Sequence, residues 1–220
     1  MFLLNQIVYL NVGFCNVLGQ EEEIGLLEHS LKKGQIAHSQ VFIGKDGYGL
    51  LLIAISYALK VVGMSESFSS EEVTINHSIV HPDIHFFFPS SANSKSKSPQ
   101  EFLPLWHEFI RAGGYADLND WCEFAGIENK KPVIGVKESD EFVKRLGLKS
   151  FYGGWRCIIV WHAETMTSSA SNKLLKSIEE PGEKTLFLLL TDNEKIILPT
   201  ILSRCQKIKF RPLTDNKMVS

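Results

Sequence analysis

The sequence predicts an α/β protein in which a parallel sheet is covered by helices on both of its faces. Three observations support this fold class. Strand-like apolar runs alternate with helical runs along the chain. The runs at 156–161 and 185–191 show no polar alternation, as expected of strands that are buried on both faces. A chain of 220 residues that is 44% hydrophobic and 22% charged can also bury a large core without metal or disulfide support.

The first part of the chain predicts a helix, a strand and a second helix. Apolar residues recur at helical spacing over 20–34, where acids begin the segment, lysines close it and Gly34 ends it. β-branched and aromatic residues predict a buried strand over 39–44. The run at 50–63 is apolar nearly all round, which predicts a buried helix.

The same alternation continues after residue 100. Helices are predicted near 101–114, where Trp106 and Phe109 are expected to form a local core, and over 138–150. Pro181 ends one later helix and Pro199 begins another. The remaining predicted elements are, in order, a strand at 156–161, a helix at 168–182, a strand at 185–191, a short helix at 198–205 and a strand at 206–210.

The segment "GKDGYG" joins the first predicted strand to the buried helix, at the edge of the sheet where ligands of such folds bind. A phosphate-binding loop reads G-x-x-x-x-G-K-[ST], and Gly44 and Gly49 occupy its two glycine positions, with Gly47 between them. Leu50 stands in place of the lysine, and Leu51 in place of the metal-binding hydroxyl. We therefore expect no tight ATP binding here. A plain glycine turn is the alternative interpretation.

An intact site of this kind also needs a carboxylate pair at the end of a neighbouring strand. The matching strand is followed by Trp161, His162, Ala163 and Glu164, so no Asp-Glu pair occurs. We interpret Glu164 as a solvated loop acid rather than a metal ligand. Both halves of a working site are thus absent from the sequence.

Charge and cysteine usage exclude several classes of protein. A net charge of −2 argues against a free-standing nucleic-acid binder, although contact with DNA inside a larger basic assembly stays open. The four cysteines, Cys15, Cys122, Cys157 and Cys205, form no C-x-x-C pair, which is typical of reduced thiols in a cytoplasmic protein. No apolar run is long enough to span a membrane, and the first ten residues lack the features of a signal peptide.

Several motifs in order resemble the bacterial clamp-loader subunits, the AAA+ proteins of the DNA polymerase III holoenzyme. They are "VLGQ", "HPD", "SNKLLKSIEEPGEKTLFLLLT" and "LPTILSRC". The resemblance covers most of residues 11–213 and implies a P-loop NTPase (AAA+) type core over 1–213. It implies that 64–135 is a divergent insertion without the family's four zinc cysteines, so no zinc is expected. It also implies that 214–220 begins a helical lid domain whose remainder is missing.

Within this family, the altered loop resembles that of delta-prime-type subunits. Such a subunit would have no ATPase activity of its own and would sit in a hetero-oligomeric ring with gamma/tau-type and delta subunits, which bind ATP. The ring would load the sliding clamp on primed DNA, without any membrane partner. In the motif Ser203, Arg204 and Cys205, the arginine would reach a neighbour's ATP site and stabilise charge beside the γ-phosphate. Cys205 is expected to be a packed thiol.

Alternatives stay open at each of these positions. One alternative is that the chain is an active AAA+ ATPase, such as a gamma/tau-type motor or a replication-fork remodeller. Another is that it is an α/β scaffold of unknown use. The alternative interpretation of Arg204 is a surface arginine that is paired with an acid. His77, His81 and His85 are spaced by four and are interpreted as scattered loop or strand histidines rather than a metal site. Lys95 and Lys97 are interpreted as solvated, with a DNA contact as the alternative.

Overall fold

The computed structural model describes residues 17, 19–63, 81–91, 99–113, 115, 117–147 and 149–212. Among them, the strands are β1 (Ser39–Ile43), β2 (Ile84–Phe87), β3 (Ser90–Ser91), β4 (Pro132–Val133), β5 (Arg156–Val160), β6 (Thr185–Thr191) and β7 (Gln206–Lys209). The helices are α1 (Glu21–Lys33), α2 (Leu50–Gly63), α3 (Pro99–Ala112), α4 (Leu118–Phe124), α5 (Val136–Leu146), α6 (Ser168–Glu179) and α7 (Pro199–Leu202). Every helix and strand predicted above is present, within a few residues of the predicted ends.

Five strands form one sheet in the order β2-β5-β6-β1-β7, and every neighbouring pair is parallel. β1 therefore lies inside the sheet, between β6 and β7. β3 and β4 form a separate two-stranded antiparallel ribbon. The parallel sheet confirms the predicted fold class.

Alternate residues of the central strands pack into two cores, one on each face of the sheet. From β5 and the residue after it, Cys157, Ile159 and Trp161 pack on the side that holds α2. Ile158 and Val160 pack on the other side, with the buried residues of α6 and α7. Helices thus cover both faces, and this explains why the strands show no polar alternation in the sequence.

The region between β2 and α5 holds an aromatic cluster. Trp106 and Phe109 of α3 are buried as predicted, and Trp106 stacks on Phe88 with ring centroids 4.4 Å apart. Trp121 of α4 meets Trp106 edge to face at 5.1 Å and donates a hydrogen bond of 2.7 Å to the carbonyl oxygen of Pro89. α4, β2 and the β3–β4 ribbon were not predicted, because such short segments form through packing rather than through a periodic pattern.

Some predictions lie outside the described residues: those on the first ten residues, Cys15, His77, Lys95, Lys97 and the start of a lid domain at 214–220. His85 lies on β2, and His81 precedes that strand. In the part of the chain that the structure describes, no three His, Cys, Asp or Glu side chains are placed to hold a metal. None of the described helices is both long and apolar enough to cross a membrane.

Candidate functional site

The glycine-rich loop at 44–49 leaves the carboxyl end of β1 and leads directly into α2, as the sequence predicted. The first helical hydrogen bond runs from the Ile53 amide to the Gly49 carbonyl at 3.0 Å. Gly47 and Gly49 have φ angles of 82° and 80°, a left-handed conformation that other residues adopt only with strain. The loop therefore needs glycine at these two positions for its backbone shape.

The two leucines that replace the phosphate-binding chemistry belong to the hydrophobic core. Leu50 and Leu51 are 9% and 3% exposed, and both pack in the core on the α2 side of the sheet. A Cβ atom added to Gly44 would lie only 3.0 Å from Leu50 Cδ1. The start of α2 is thus anchored by apolar packing and presents no charged side chain to the loop.

Protein atoms also occupy the space beside Gly49. A Cβ atom at this position would lie 3.1 Å from both Tyr115 Cε1 and Val17 Cγ1. The cavity that remains between the loop and the ends of β5 and β6 has a volume of about 20 Å³, which is room for about one water molecule.

A partly buried charge cluster lies against the loop. His162 is the second residue after the end of β5. Its side chain is 5% exposed, and its φ of 52° lies in the left-handed region. Its Nδ1 atom is 2.6 Å from Glu164 Oε1, and its Nε2 atom is 3.3 Å from Asp46 Oδ1 in the loop. The second contact is an ion pair rather than an aligned hydrogen bond, because Nε2 has no hydrogen-bond partner among the described residues.

His162 is the cation of this cluster. Burial by itself lowers the pKa of His162, but the contacts with Asp46 and Glu164 outweigh burial and raise the pKa to about 9. The imidazole is therefore protonated at neutral pH. The interpretation of Glu164 as a solvated loop acid was wrong, since its side chain is 10% exposed and binds His162.

The strand that precedes His162 is not the direct neighbour of β1, in contrast to the sequence-based expectation. β6 lies between β5 and β1 in the sheet. His162 meets the loop because the loop extends over the end of β6, where the Gly44 amide donates to the Thr191 carbonyl at 3.1 Å. A contact of this kind follows from strand order, which the sequence does not state.

Another charged pair at this edge joins Lys45 of the loop to Asp192 after β6, at 3.6 Å. Around the loop, Asp46, Glu164 and Asp192 supply three carboxylates, whereas Lys45 and His162 supply two cations. One net negative charge remains. This balance disfavours a polyanion such as a nucleotide triphosphate.

Arg204 lies at the opposite edge of the sheet. It precedes β7, whose first residue Gln206 pairs with Gln40 near the start of β1. Gly44 lies four residues beyond Gln40, a rise of ~13 Å along the strand. The arginine and the loop of one chain therefore face away from each other.

The guanidinium of Arg204 lies at the surface and contacts oxygen atoms of α6 and of its own segment. Its Nη2 atom is 2.9 Å from Glu179 Oε1, and Nη1 donates to the Thr200 carbonyl at 2.9 Å and to Ser203 Oγ at 3.4 Å. The side chain is 43% exposed and lines an open groove of about 640 Å³. Within this chain, Arg204 is a surface arginine paired with an acid. Such exposed pairs contribute little to stability and exchange partners readily.

Cys205, next to Arg204, is a packed thiol as predicted. It contacts the core on the α6 side, and burial raises the pKa of its thiol to about 11. Sequence reasoning missed Asp46, His162, Tyr115 and Glu179. The acid within the loop and the histidine after an apolar strand were visible signals for the first two, whereas no local pattern indicates Tyr115.

Comparison with known proteins adds to this geometry. A family model described as DNA polymerase III, delta subunit, matches residues 19–214. The DNA polymerase III subunit delta' of Bacillus subtilis (strain 168) is 29% identical over 198 residues, which are 88% of this chain and 48% of that protein. The subunit gamma of Buchnera aphidicola subsp. Baizongia pistaciae is 24% identical over 210 residues, 94% of this chain and 46% of that protein. The chain thus spans about half the length of these relatives.

A solved structure supports the fold alone. A DNA polymerase III, gamma subunit-related protein from Thermotoga maritima aligns with a TM-score of 0.50 at 16% sequence identity. The alignment covers 86% of this chain and 46% of the other.

Proposed function

The chain belongs to the family described as DNA polymerase III, delta subunit, and from this membership we propose that it acts as a delta-prime-type subunit of a clamp loader. In this role it hydrolyses no ATP itself. It would assemble with gamma/tau-type and delta subunits in a hetero-oligomeric ring that loads a sliding clamp on primed DNA. ATP would be bound by the neighbouring subunits, and zinc has no role.

The loop at 44–49 is the single observation that carries the proposal. An intact loop would present a lysine to the phosphates and a hydroxyl to magnesium. Here two buried leucines stand in those positions, and the cavity beside them has a volume of about 20 Å³. The alternative, an active ATPase of the gamma/tau type, would need both missing groups.

Arg204 is the residue to which we assign a role in a neighbour's ATP site. It faces away from its own loop, is 43% exposed and lines an open groove. A guanidinium placed beside a γ-phosphate stabilises the negative charge that develops as the phosphoryl group leaves. Only a subunit that docks against this edge of the sheet could use it.

The test is a titration of the full-length protein with a fluorescent ATP analogue and magnesium. We expect no saturable binding by this subunit alone, and saturable binding once a gamma/tau-type subunit is added. Binding at micromolar or lower concentration by the subunit alone would overturn the proposal and favour the active ATPase. Full-length protein that fails to co-purify with gamma/tau-type and delta subunits would overturn the assembly role.

A further inference from the structure

The loop at 44–49 keeps a demanding conformation although the proposed function leaves it without nucleotide. Two of its glycines have positive φ angles, and glycine loses more conformational freedom on ordering than other residues. In a working phosphate-binding loop, contacts with the ligand and its metal offset part of this cost. Without a nucleotide, contacts within the chain have to stabilise the loop.

The Asp46–His162–Glu164 cluster has the geometry to do so. Asp46 belongs to the loop, whereas Glu164 lies in the 3-10 turn Ala163–Thr165 that follows β5. The imidazole ring lies between the two carboxylates, with one ring nitrogen towards each of them. The His162 and Glu164 side chains are 5% and 10% exposed, so water contributes little to solvating these two charges, whereas Asp46 is 38% exposed.

Both contacts require a doubly protonated ring. A neutral imidazole carries a single N–H, so its other nitrogen would direct a lone pair at a carboxylate. An imidazolium carries an N–H on each nitrogen, so that Nδ1 can donate to Glu164 while the positive charge at Nε2 attracts Asp46. The attachment of the loop through Asp46 therefore depends on the second proton.

We propose that the imidazolium of His162 is an internal cation that fastens the loop at 44–49 to the carboxyl end of β5, so that the loop holds one conformation with no nucleotide bound. The inference rests on the proposed function only for the absence of nucleotide. The contacts of the cluster stand independently of it.

Other groups also surround the cluster. Trp161 covers the imidazole edge to face, with ring centroids 4.3 Å apart, and shields it from water. Lys45 and Asp192 neutralise each other in an exposed pair at 3.6 Å. The end of β7 lies beside the loop as well, and there Arg211 pairs with Glu22 and Glu23 at 3.2 and 3.9 Å.

The sign of the pH dependence follows from the cluster. The pKa of His162 is raised from 6.5 to about 9, so protonation favours the closed loop over the open one. The contribution is fully present below pH ~6.5 and is lost as pH rises through about 9. Opening the loop breaks the Asp46 contact and leaves the Glu164 contact in place, so only part of this shift is coupled to the loop. Since one pKa unit corresponds to a tenfold change in the equilibrium, loop opening should increase over this range by at most roughly 10²-fold.

Hydrogen exchange of the loop measures this directly. The amides of Gly44 and Tyr48 are hydrogen bonded, to the carbonyls of Thr191 and Lys45, and report on opening. In full-length protein, exchange is followed by mass spectrometry at pH 6.5 and 9 and corrected for the intrinsic rate at each pH. We expect protection to fall in the wild type, by at most roughly 10²-fold, and to show no such fall in His162→Gln.

Two further variants complete the design. His38→Gln is the matched control, since this histidine binds the Thr185 carbonyl at the other edge of the sheet, and it should keep the wild-type pH response. Asp46→Asn removes one carboxylate from an exposed loop position and should reduce the fall in protection even if His162→Gln does not fold. It should also lower the His162 pKa in an NMR titration.

Protection that is equal at the two pH values in the wild type, or that falls equally in wild type and Asp46→Asn, would overturn the inference. Neither result affects the proposed function if the ATP analogue still fails to bind. Saturable ATP binding together with His162-dependent protection would instead overturn the proposed function and leave this inference standing.

Discussion

The two edges of the five-stranded sheet hold their charges in opposite ways. At the carboxyl edge, His162 is 5% exposed and lies between two acids of its own chain, beside a cavity of about 20 Å³. At the amino edge, Arg204 is 43% exposed and lines a groove of about 640 Å³. One edge is satisfied internally, whereas the other leaves a cation available to a partner.

The difference indicates which charged side chains a partner molecule can bind. Breaking a buried ion pair leaves an uncompensated charge in a poorly solvated place, which is strongly destabilising. An exposed pair such as Arg204 with Glu179 is worth at most about 1 kcal/mol, so a phosphate of a neighbouring molecule can replace the carboxylate at little cost. We therefore expect function at the amino edge and structural stability at the carboxyl edge.

The largest expected effect is at Arg204. If the amino edge serves a neighbour, Arg204→Ala should lower hydrolysis at the neighbouring ATP site by roughly 10³-fold, the lower end of the range for arginine fingers. The clamp- and DNA-stimulated ATPase rate of the reconstituted ring measures this loss, and co-purification checks that assembly is unchanged.

Arg211→Ala is the control for that measurement. Arg211 is also an exposed arginine paired with acids, Glu22 and Glu23, but it follows the opposite end of β7. Its removal should leave the rate within about twofold, the scale of an exposed pair. An equal rate for wild type and Arg204→Ala would show that the open edge has no such role.

Restoring the lysine and the hydroxyl residue of the phosphate-binding motif at the carboxyl edge should destabilise the protein without producing ATP binding. In Leu50→Lys with Leu51→Thr, a core side chain shrinks and a charge is placed in a buried position. The free energy of unfolding should fall by at least about 3 kcal/mol, since large-to-small core changes alone cost ~2–5 kcal/mol. Urea denaturation measures stability, and the ATP analogue measures binding.

Leu26→Thr is the matched control, because Leu26 is 64% exposed on α1. We expect it to change the free energy of unfolding by less than about 0.5 kcal/mol. Tight ATP binding by a stable double variant would mean that the carboxyl edge is an open site and that the contrast between the edges is wrong.

Gly49→Ala tests how closely the carboxyl edge is packed. The new Cβ would meet Tyr115 and Val17 at 3.1 Å, and the residue would keep a φ of 80°. Both effects destabilise, by about 1–3 kcal/mol together. Thermal unfolding compares it with Gly25→Ala in α1, where nothing lies within 4 Å and a gain of about 0.5–1 kcal/mol is expected. A stable Gly49→Ala would indicate a loosely packed loop.

The smallest effect is expected at Glu179. Glu179→Gln removes the carboxylate that binds Arg204 at 2.9 Å and should lower the free energy of unfolding by less than about 1 kcal/mol. Salt should reduce this small difference further, because the pair is exposed. A loss several times larger, measured by urea denaturation, would place Arg204 in a rigid structural role and remove the contrast.

Much of the framework could be read from the sequence. Apolar runs predict the strands at 156–161 and 185–191 and the buried helix at 50–63. These segments must be apolar because they are buried on all sides, whichever elements pack against them. The replacement of the lysine and the hydroxyl residue of the motif by Leu50 and Leu51 can also be read directly from the sequence. α4 escaped prediction because its seven residues depend on a capping box and on Trp121 packing rather than on a periodic pattern.

The sequence by itself determined the fold class, the position of the loop and the replacement of the motif's lysine by Leu50, because each can be read from local composition, spacing and short-range periodicity. Only the tertiary structure decided that His162 is a buried cation for Asp46 and Glu164, and that Arg204 faces away from its own loop. These facts depend on the order of strands in the sheet, with β6 between β5 and β1. Strand order is set by the packing of segments distant in the chain, which no local pattern encodes.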